Sequence, residues 1–305
     1  MLAFITGASS GIGKDMAKVL AEKGYDLIIT ARDEQKLFEV RNEILNNAPL
    51  RNEAIFNEIT KKSKQKIDIK VITANLENEK EVFDLYNKVK NENIDVFVNN
   101  AGFGTIGNFW ETDLETEIDM IKVNDIAMHI LFKLILKNMV TTENKKSTKD
   151  NGEGINNEKS VTKNIISNTR YINNEKYILS VASLSGFMPG PKMAAYYATK
   201  SYILNLTRGV YKELKMTKSK VNVSVLCPGP IYTNFADRAG VIFKTPNLSS
   251  EYTAKYAINK LFAKKLVIIP GFINKCAHVL SRIMPSRLVM AVVFRIQDKA
   301  NQSKL

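Results

Sequence analysis

The stretch Leu2-Ala3-Phe4-Ile5-Thr6-Gly7-Ala8-Ser9-Ser10-Gly11-Ile12-Gly13 decides the fold. A short apolar run, Leu2 to Ile5, leads straight into a turn with three glycines. Lys14 to Gly24 follows, with apolar residues at Met16, Val19 and Leu20, the spacing of a helix. Gly24 stands where a helix C-terminus takes a left-handed residue. The order is strand, glycine turn, helix. Glycines let the main chain turn tightly and approach a pyrophosphate, whose charge the helix N-terminus then favours. The spacing Gly7-xxx-Gly11-x-Gly13 differs from the GxGxxG of the better-known dinucleotide fold.

Working outward, Asp26 to Arg32 reads as the next strand, and its end is where the adenosine ribose of a dinucleotide should lie. A carboxylate there binds the 2′-hydroxyl of NAD, whereas an arginine accommodates the 2′-phosphate of NADP. The strand ends in Ala31-Arg32, which favours NADP(H) over NAD(H). A surface ion pair of Arg32 with Asp33 or Glu34 is the competing reading. Further along, Tyr196 and Lys200 are four apart in a helical segment and point the same way. An ammonium beside a phenol favours the phenolate, so Tyr196 is expected to titrate below the usual value of about 10. Such a phenol exchanges a proton with an alcohol or carbonyl oxygen. Ser183, thirteen residues upstream, has a hydroxyl for the same oxygen.

Taken in order, these residues resemble the short-chain dehydrogenases/reductases. TGxxxGxG appears as Thr6 to Gly13, NNAG as Asn99-Asn100-Ala101-Gly102 after the strand Asp95 to Val98, and the helix asparagine as Asn124. The serine maps to Ser183, YxxxK to Tyr196 and Lys200, and the PG motif to Pro228-Gly229 with Thr233 beyond it. The match runs from Met1 to about Ala239. The resemblance implies a single doubly wound parallel α/β sheet of Rossmann type with helices on both faces. It also implies the site roles. Tyr196 is the general acid/base, and Lys200 lowers its pKa and holds the nicotinamide ribose. Ser183 holds the substrate oxygen, and Asn124 sits at a helix irregularity and keeps a water for a proton relay. The cofactor would lie along Gly7, Ser9, Ser10, Gly11, Ile12, Gly13, Arg32, Asn75, Leu76, Asn100, Ala101 and Gly102. Pro228, Gly229, Ile231 and Thr233 would meet its nicotinamide amide. Asn75 stands where the family often has an adenine-binding aspartate. Ser10 stands where many NADP-binding members have a basic residue, which leaves Arg32 only hydroxyl help. The start, the Ala31-Arg32 pair, Asn99 to Gly104 and Cys227-Pro228-Gly229-Pro230 look like a branch whose members act on 3-hydroxy acids, 3-ketoacyl thioesters or steroids.

The function expected is hydride transfer between NADP(H) and a small carbonyl or secondary alcohol. A 3-ketoacyl thioester reductase or a non-catalytic NADPH-binding member is the alternative. The family's subunit contacts, mapped to the helices around Ile126 and Ile203, imply a homodimer or homotetramer.

Composition bounds the rest. The chain has 305 residues and a net charge of +13. The lysines are widely spread and no nucleic-acid-binding motif occurs, so no nucleic-acid partner is expected; attraction to NADP, an acyl carrier or a lipid surface stays open. Cys227 and Cys276 have no metal spacing and read as reduced, which points to the cytoplasm. His129 and His278 are isolated, and no metal is expected. No signal peptide is expected, because a strand begins at residue 2. No run of eighteen apolar residues occurs, so no transmembrane segment is expected.

Residues 1–271 read as the dinucleotide-binding domain and 272–305 as a C-terminal helical extension. Two stretches look inserted. Residues 42–65 read as a helical stretch rich in Asn, Lys and Glu with Pro49 inside it, and residues 141–176 have almost no large apolar side chains and are expected to form a mobile loop. Both join a helix to a strand, which places them at the amino edge of the sheet, away from the chemistry. Substrate choice is assigned to Ile231 to Ser250, where Phe235, Val241, Ile242 and Phe243 line a pocket or simply pack a helix. Leu266 to Ile269 reads as the last strand. Phe272 to Arg295 mixes apolar and basic residues, as an interfacial membrane helix, a subunit contact or a cover on the core would. The last two are favoured.

Overall fold

The computed structural model describes residues 1–47, 67–150, 175–231 and 248–302. Thr233, Phe235, Val241, Ile242 and Phe243 lie outside the described residues, as do most of both stretches read as inserted. Seven parallel strands form one sheet: β1 (Leu2–Thr6), β2 (Asp26–Ala31), β3 (Ile69–Thr73), β4 (Val96–Asn99), β5 (Lys176–Val181), β6 (Val221–Leu226) and β7 (Val267–Ile268). Their spatial order is β3-β2-β1-β4-β5-β6-β7. The helices between them are α1 (Gly11–Glu22), α2 (Glu34–Asn47), α3 (Glu79–Val89), α4 (Leu114–Ile121), α5 (Met128–Asp150), α6 (Ala194–Met216) and α7 (Ser250–Phe262). Two more, α8 (Phe272–Ile283) and α9 (Ser286–Gln302), follow β7. Among the described residues no helix is long and apolar enough to cross a membrane.

Alternation along the strands feeds a separate core on each face. Phe4, Ile28, Phe97, Ile178 and Val223 point to one side, where Leu85, Leu131 and Ile203 of α3, α5 and α6 meet them. Ala3, Ile5, Ile29 and Val98 point to the other, against Met16, Leu20, Leu37 and Ile258 of α1, α2 and α7. Phe4 and Phe97 stack with ring centres 5.2 Å apart. Each such large side chain withdrawn from water contributes about 1.5–3 kcal/mol before its entropy cost. A sheet buried on both faces needs apolar residues in succession, which is why Leu2 to Ile5 and Leu27 to Ile29 do not alternate with polar ones.

Three expectations need correcting. Residues 42–47 belong to α2, which packs Ile44 into the core, so the inserted stretch cannot begin at residue 42. Residues 141–150 continue α5 rather than opening a loop, and Lys176 already belongs to β5, where it is buried. Its ammonium donates to Ile94 O at 2.7 Å and to Asn93 Oδ1 at 2.8 Å, so a residue that composition assigns to a polar loop closes the start of a strand.

The order reverses between β1 and β4: from β1 the chain moves to β2 and β3 on one side, then to β4 on the other. In an open parallel sheet the crevice at that switch point, at the carboxyl ends of the strands, is where ligands bind.

Candidate functional site

A cleft of about 950 Å³ opens at this switch point. The glycine turn forms its floor. Gly7 and Gly11 have φ of +65° and +55°, which L side chains rarely adopt. Gly13 is required for a different reason: a Cβ there would lie 2.3 Å from Gly7 O and 2.4 Å from Asn100 Nδ2. Asn100 braces the turn, donating from Nδ2 to Thr6 O at 2.9 Å and to Gly7 O at 3.2 Å. The Thr6 hydroxyl accepts from the main-chain N–H groups of Asn100 and Ala101. Ser10 is the N-cap of α1, but its side chain makes no capping bond, so the positive end of α1 opens on the cleft beside Ser9, Gly11 and Ile12.

The structure brings Ser183, Tyr196 and Lys200 to the same cleft from different elements. Ser183 follows β5 and caps the 3₁₀ turn Leu184–Phe187, accepting from Ser185 N at 3.1 Å. Its hydroxyl donates to Ser185 Oγ at 3.1 Å, and it also hydrogen-bonds the Tyr196 phenol. Pro228 O accepts from Leu184 N at 2.9 Å, which ties the end of β6 to the same turn. Gly229 and Ile231 continue the wall, and Ile231 bridges to Leu248.

Asn124 lies in a π-helical turn, Lys122–Ala127, the irregularity expected of it. It is fully buried. Its Nδ2 donates to Phe103 O at 2.9 Å and Thr199 Oγ1 at 3.0 Å, while Oδ1 accepts from Phe103 N at 3.0 Å. The side chain therefore clamps the segment after β4. Gly102 fits there because a Cβ would come 2.8 Å from Asn124 Oδ1 and 3.2 Å from Lys200 Nζ.

The electrostatics differ from the expectation at Tyr196. Burial pushes its phenol well above the ordinary range, and the Ser183 hydrogen bond opposes this only in part. Lys200 does not lower it, because the ammonium sits 5.6 Å from the centre of the Tyr196 ring and donates to Val181 O at 3.3 Å. Burial instead lowers Lys200 itself to about 8, with Asp125 opposing. Helical spacing shows that the two side chains share a face; it is silent on how dry that face is.

The competing ion-pair reading of Arg32 is met by a residue the sequence reading missed. Arg32 pairs with Glu77, not with Asp33 or Glu34. Asn75 holds Glu77 in place, its Oδ1 accepting from Glu77 N at 3.1 Å. Arg32, Leu76 and Glu77 all line the cleft, just beyond the ends of β2 and β3. The position of Glu77, just past the third strand, was the available signal.

The C-terminal tail acts as a cover, one of the two readings favoured for it, and Tyr197 lies beneath it. Tyr197 faces packing as its rotation from Tyr196 requires, yet it lines the cleft as well. Its hydroxyl accepts from Gln297 Nε2 at 3.0 Å. Val289 and Val293 of α9 pack with Met120, Met193, Tyr196 and Tyr197, so α9 covers the site.

A family model described as short chain dehydrogenase matches residues 1–149 and 161–240. An uncharacterized oxidoreductase of Staphylococcus saprophyticus is 29% identical over 232 residues, 76% of this chain and 79% of that protein. Among solved structures, a short-chain dehydrogenase from Sphingobium yanoikuyae in complex with NADPH aligns with a TM-score of 0.69 at 21% identity, covering 93% of this chain and 96% of that one. A short-chain dehydrogenase/reductase from Burkholderia phymatum in complex with NAD aligns with a TM-score of 0.70 at 18% identity, covering 92% of each chain.

Proposed function

Because the chain belongs to the short-chain dehydrogenase family, we propose that it transfers a hydride between NADP(H) and a carbonyl or secondary-alcohol substrate, with Tyr196 as general acid and base. The observation that carries this reading is the meeting of Ser183, Tyr196 and Lys200 in the cleft whose floor is the glycine turn. The residues fit a dinucleotide: Gly13 lets α1 pack closely on Gly7 and Asn100, and the α1 N-terminus, its Ser10 cap making no side-chain hydrogen bond, opens on the cleft. When bound, the nicotinamide supplies or accepts the hydride.

The protein's own groups handle the proton. Tyr196 is neutral at neutral pH, so it enters as the acid and gives its proton to the carbonyl oxygen in the direction of reduction. The Ser183 hydroxyl, oriented by Ser185, hydrogen-bonds that oxygen. The Lys200 ammonium, 5.6 Å from the centre of the phenol ring, serves the ribose. Asn124, its side chain spent on Phe103 and Thr199, would keep a water through the main chain of the π turn. Met188, Met193, Val293 and Ile296 make the substrate side apolar and help to exclude water. Both cysteines are free, which suits a reducing compartment such as the cytoplasm. A homodimer or homotetramer through the π turn before α5 and through α6 belongs to the same reading, where Ile126 and Tyr202 are exposed.

Purified protein oxidises NADPH with part of a panel of simple ketones, steroid ketones and 3-ketoacyl thioesters. Turnover confined to the thioesters would select the alternative substrate class. NADPH binding with no turnover on any compound would leave a non-catalytic binder.

Cofactor preference follows from Arg32. NADPH binds more tightly than NADH, and Arg32→Ala removes most of the difference. Glu77 competes with a 2′-phosphate for the guanidinium, so Glu77→Gln tightens NADPH by roughly two- to fivefold, the worth of an exposed ion pair. Fluorescence titrations read all three, and matching curves for NADPH and NADH in the unmutated protein would end the idea.

A pH dependence follows from Lys200. Its amine loses the proton near pH 8, far below an exposed lysine, because burial disfavours the charge. The protonated form serves the ribose, so kcat/KM for ketone reduction, which reports the free enzyme, falls as pH rises through about 8. A level profile across the alkaline range would contradict this role.

A further inference from the structure

Helix α8 is amphipathic in the reverse sense. A surface helix of a water-soluble protein turns its apolar stripe to the core and its polar side to solvent. At 100° per residue, Phe272, Ile273, Cys276, Val279, Leu280 and Ile283 share one face about 120° wide. All six are exposed, and Phe272, Ile273 and Ile283 keep 79%, 70% and 76% of their surface. No residue of α8 is buried. The side turned toward the protein is polar. Asn274 lies against Gly229, where a Cβ would meet its Oδ1 at 2.5 Å. His278 lies tilted against Phe187 with ring centres 3.9 Å apart, and its Nδ1 is buried. Ser281 is half-buried.

The next helix continues the pattern on its outer side. Leu288 and Val292, at i and i+4 of α9, are exposed by 54% and 46%. Two successive helices thus expose a concentration of large apolar side chains, as interaction sites do. Its surroundings are basic. From Lys264 to Leu305 the sequence has eight lysines and arginines and one acid, Asp298. Arg282, Arg287 and Arg295 border the apolar residues and are exposed.

We propose that α8 and the outer side of α9 form a docking face for an anionic lipid bilayer. The apolar face of α8 lies in the plane of the headgroup–acyl boundary, and the arginines and lysines meet the headgroups. An apolar face with a basic border and almost no acid has the chemistry of an interfacial helix. A second copy of this chain is the weaker occupant. A two-fold contact sets the same patch against itself, and the basic borders would then face like charge. At about 18 Å, α8 is too short to span a bilayer but long enough to lie on one.

The test is flotation of the full chain with vesicles of phosphatidylcholine alone, and of phosphatidylcholine with about one third phosphatidylglycerol. The protein floats with the anionic vesicles, roughly tenfold or more in preference to the neutral ones, and added salt weakens binding. Leu280→Ser with Ile283→Ser lowers the bound fraction on anionic vesicles by about tenfold or more. These two residues do not line the cleft, so NADPH titration and the melting temperature stay as in the parent and report an intact fold. Arg282→Glu with Arg287→Glu removes the preference for anionic over neutral lipid. Protein that stays with the lipid-free fraction would overturn the proposal, as would binding that neither pair of substitutions alters. So would a dimer that the Leu280→Ser, Ile283→Ser pair dissociates while vesicle binding is absent, which would make the face a subunit contact.

Discussion

Tyr196→Phe abolishes turnover and leaves NADPH binding nearly unchanged. The substitution removes one oxygen and its proton and keeps the ring, which packs with Met120, Met193, Tyr197, Val289 and Val293. The fold should therefore tolerate it. The loss is chemical: Ser183 retains its hydroxyl and can hydrogen-bond the substrate oxygen, but an aliphatic hydroxyl is a far weaker acid than a phenol. A positioned acid contributes about 10²- to 10⁴-fold, and at least that factor is expected to disappear. Tyr197→Phe is the control. It deletes an acceptor for Gln297 Nε2, which costs about 1 kcal/mol of stability, and leaves turnover within a fewfold of the parent. Single-turnover kinetics and cofactor fluorescence on both variants separate the roles. An active Tyr196→Phe enzyme would sink the mechanism, and with it most of the case for catalysis.

Gly13→Ala carries the second large effect, this time on binding. The added methyl would lie 2.3 Å from a main-chain oxygen and 2.4 Å from the Asn100 side-chain amide, which is itself fixed by hydrogen bonds to Thr6 O and Gly7 O. The turn must open or α1 must shift. Overpacking of this kind costs about 1–3 kcal/mol, and it also displaces the N–H groups at the start of α1. NADPH affinity is expected to fall at least about tenfold and the melting temperature to drop with it. Gly24→Ala offers the contrast. Gly24 has φ of +79° but nothing within 4 Å of a Cβ, so the substitution is strained without being crowded. Stability falls by about 1–2 kcal/mol, and cofactor binding by the folded protein is unaffected. Equal affinities for NADPH in Gly13→Ala and the parent would remove the glycine turn from the binding site.

The elements with a local cause were legible without coordinates. The apolar run Leu2 to Ile5, the glycines after it and the helical spacing of Met16, Val19 and Leu20 each act within a few residues, and together they located β1, the turn and α1. Their order relative to Asn99 to Gly102, Ser183, Tyr196 and Pro228 was enough to imply the sheet and the members of the site.

What the tertiary structure decided are the properties that belong to pairs of distant residues or to burial. Arg32 meets Glu77, 45 positions away, and Tyr197 meets Gln297, 100 positions away. Neither pairing leaves a mark in the spacing of the chain. The phenol of Tyr196 is raised rather than lowered because the charge of a side chain depends on how much water reaches it, which is set when α9 covers the cleft. The sequence of α8 shows that one side is apolar and the other polar, but a periodicity has no sign. Only the contacts of Asn274 with Gly229 and of His278 with Phe187 reveal that the polar side faces the protein, and so that the apolar side faces outward.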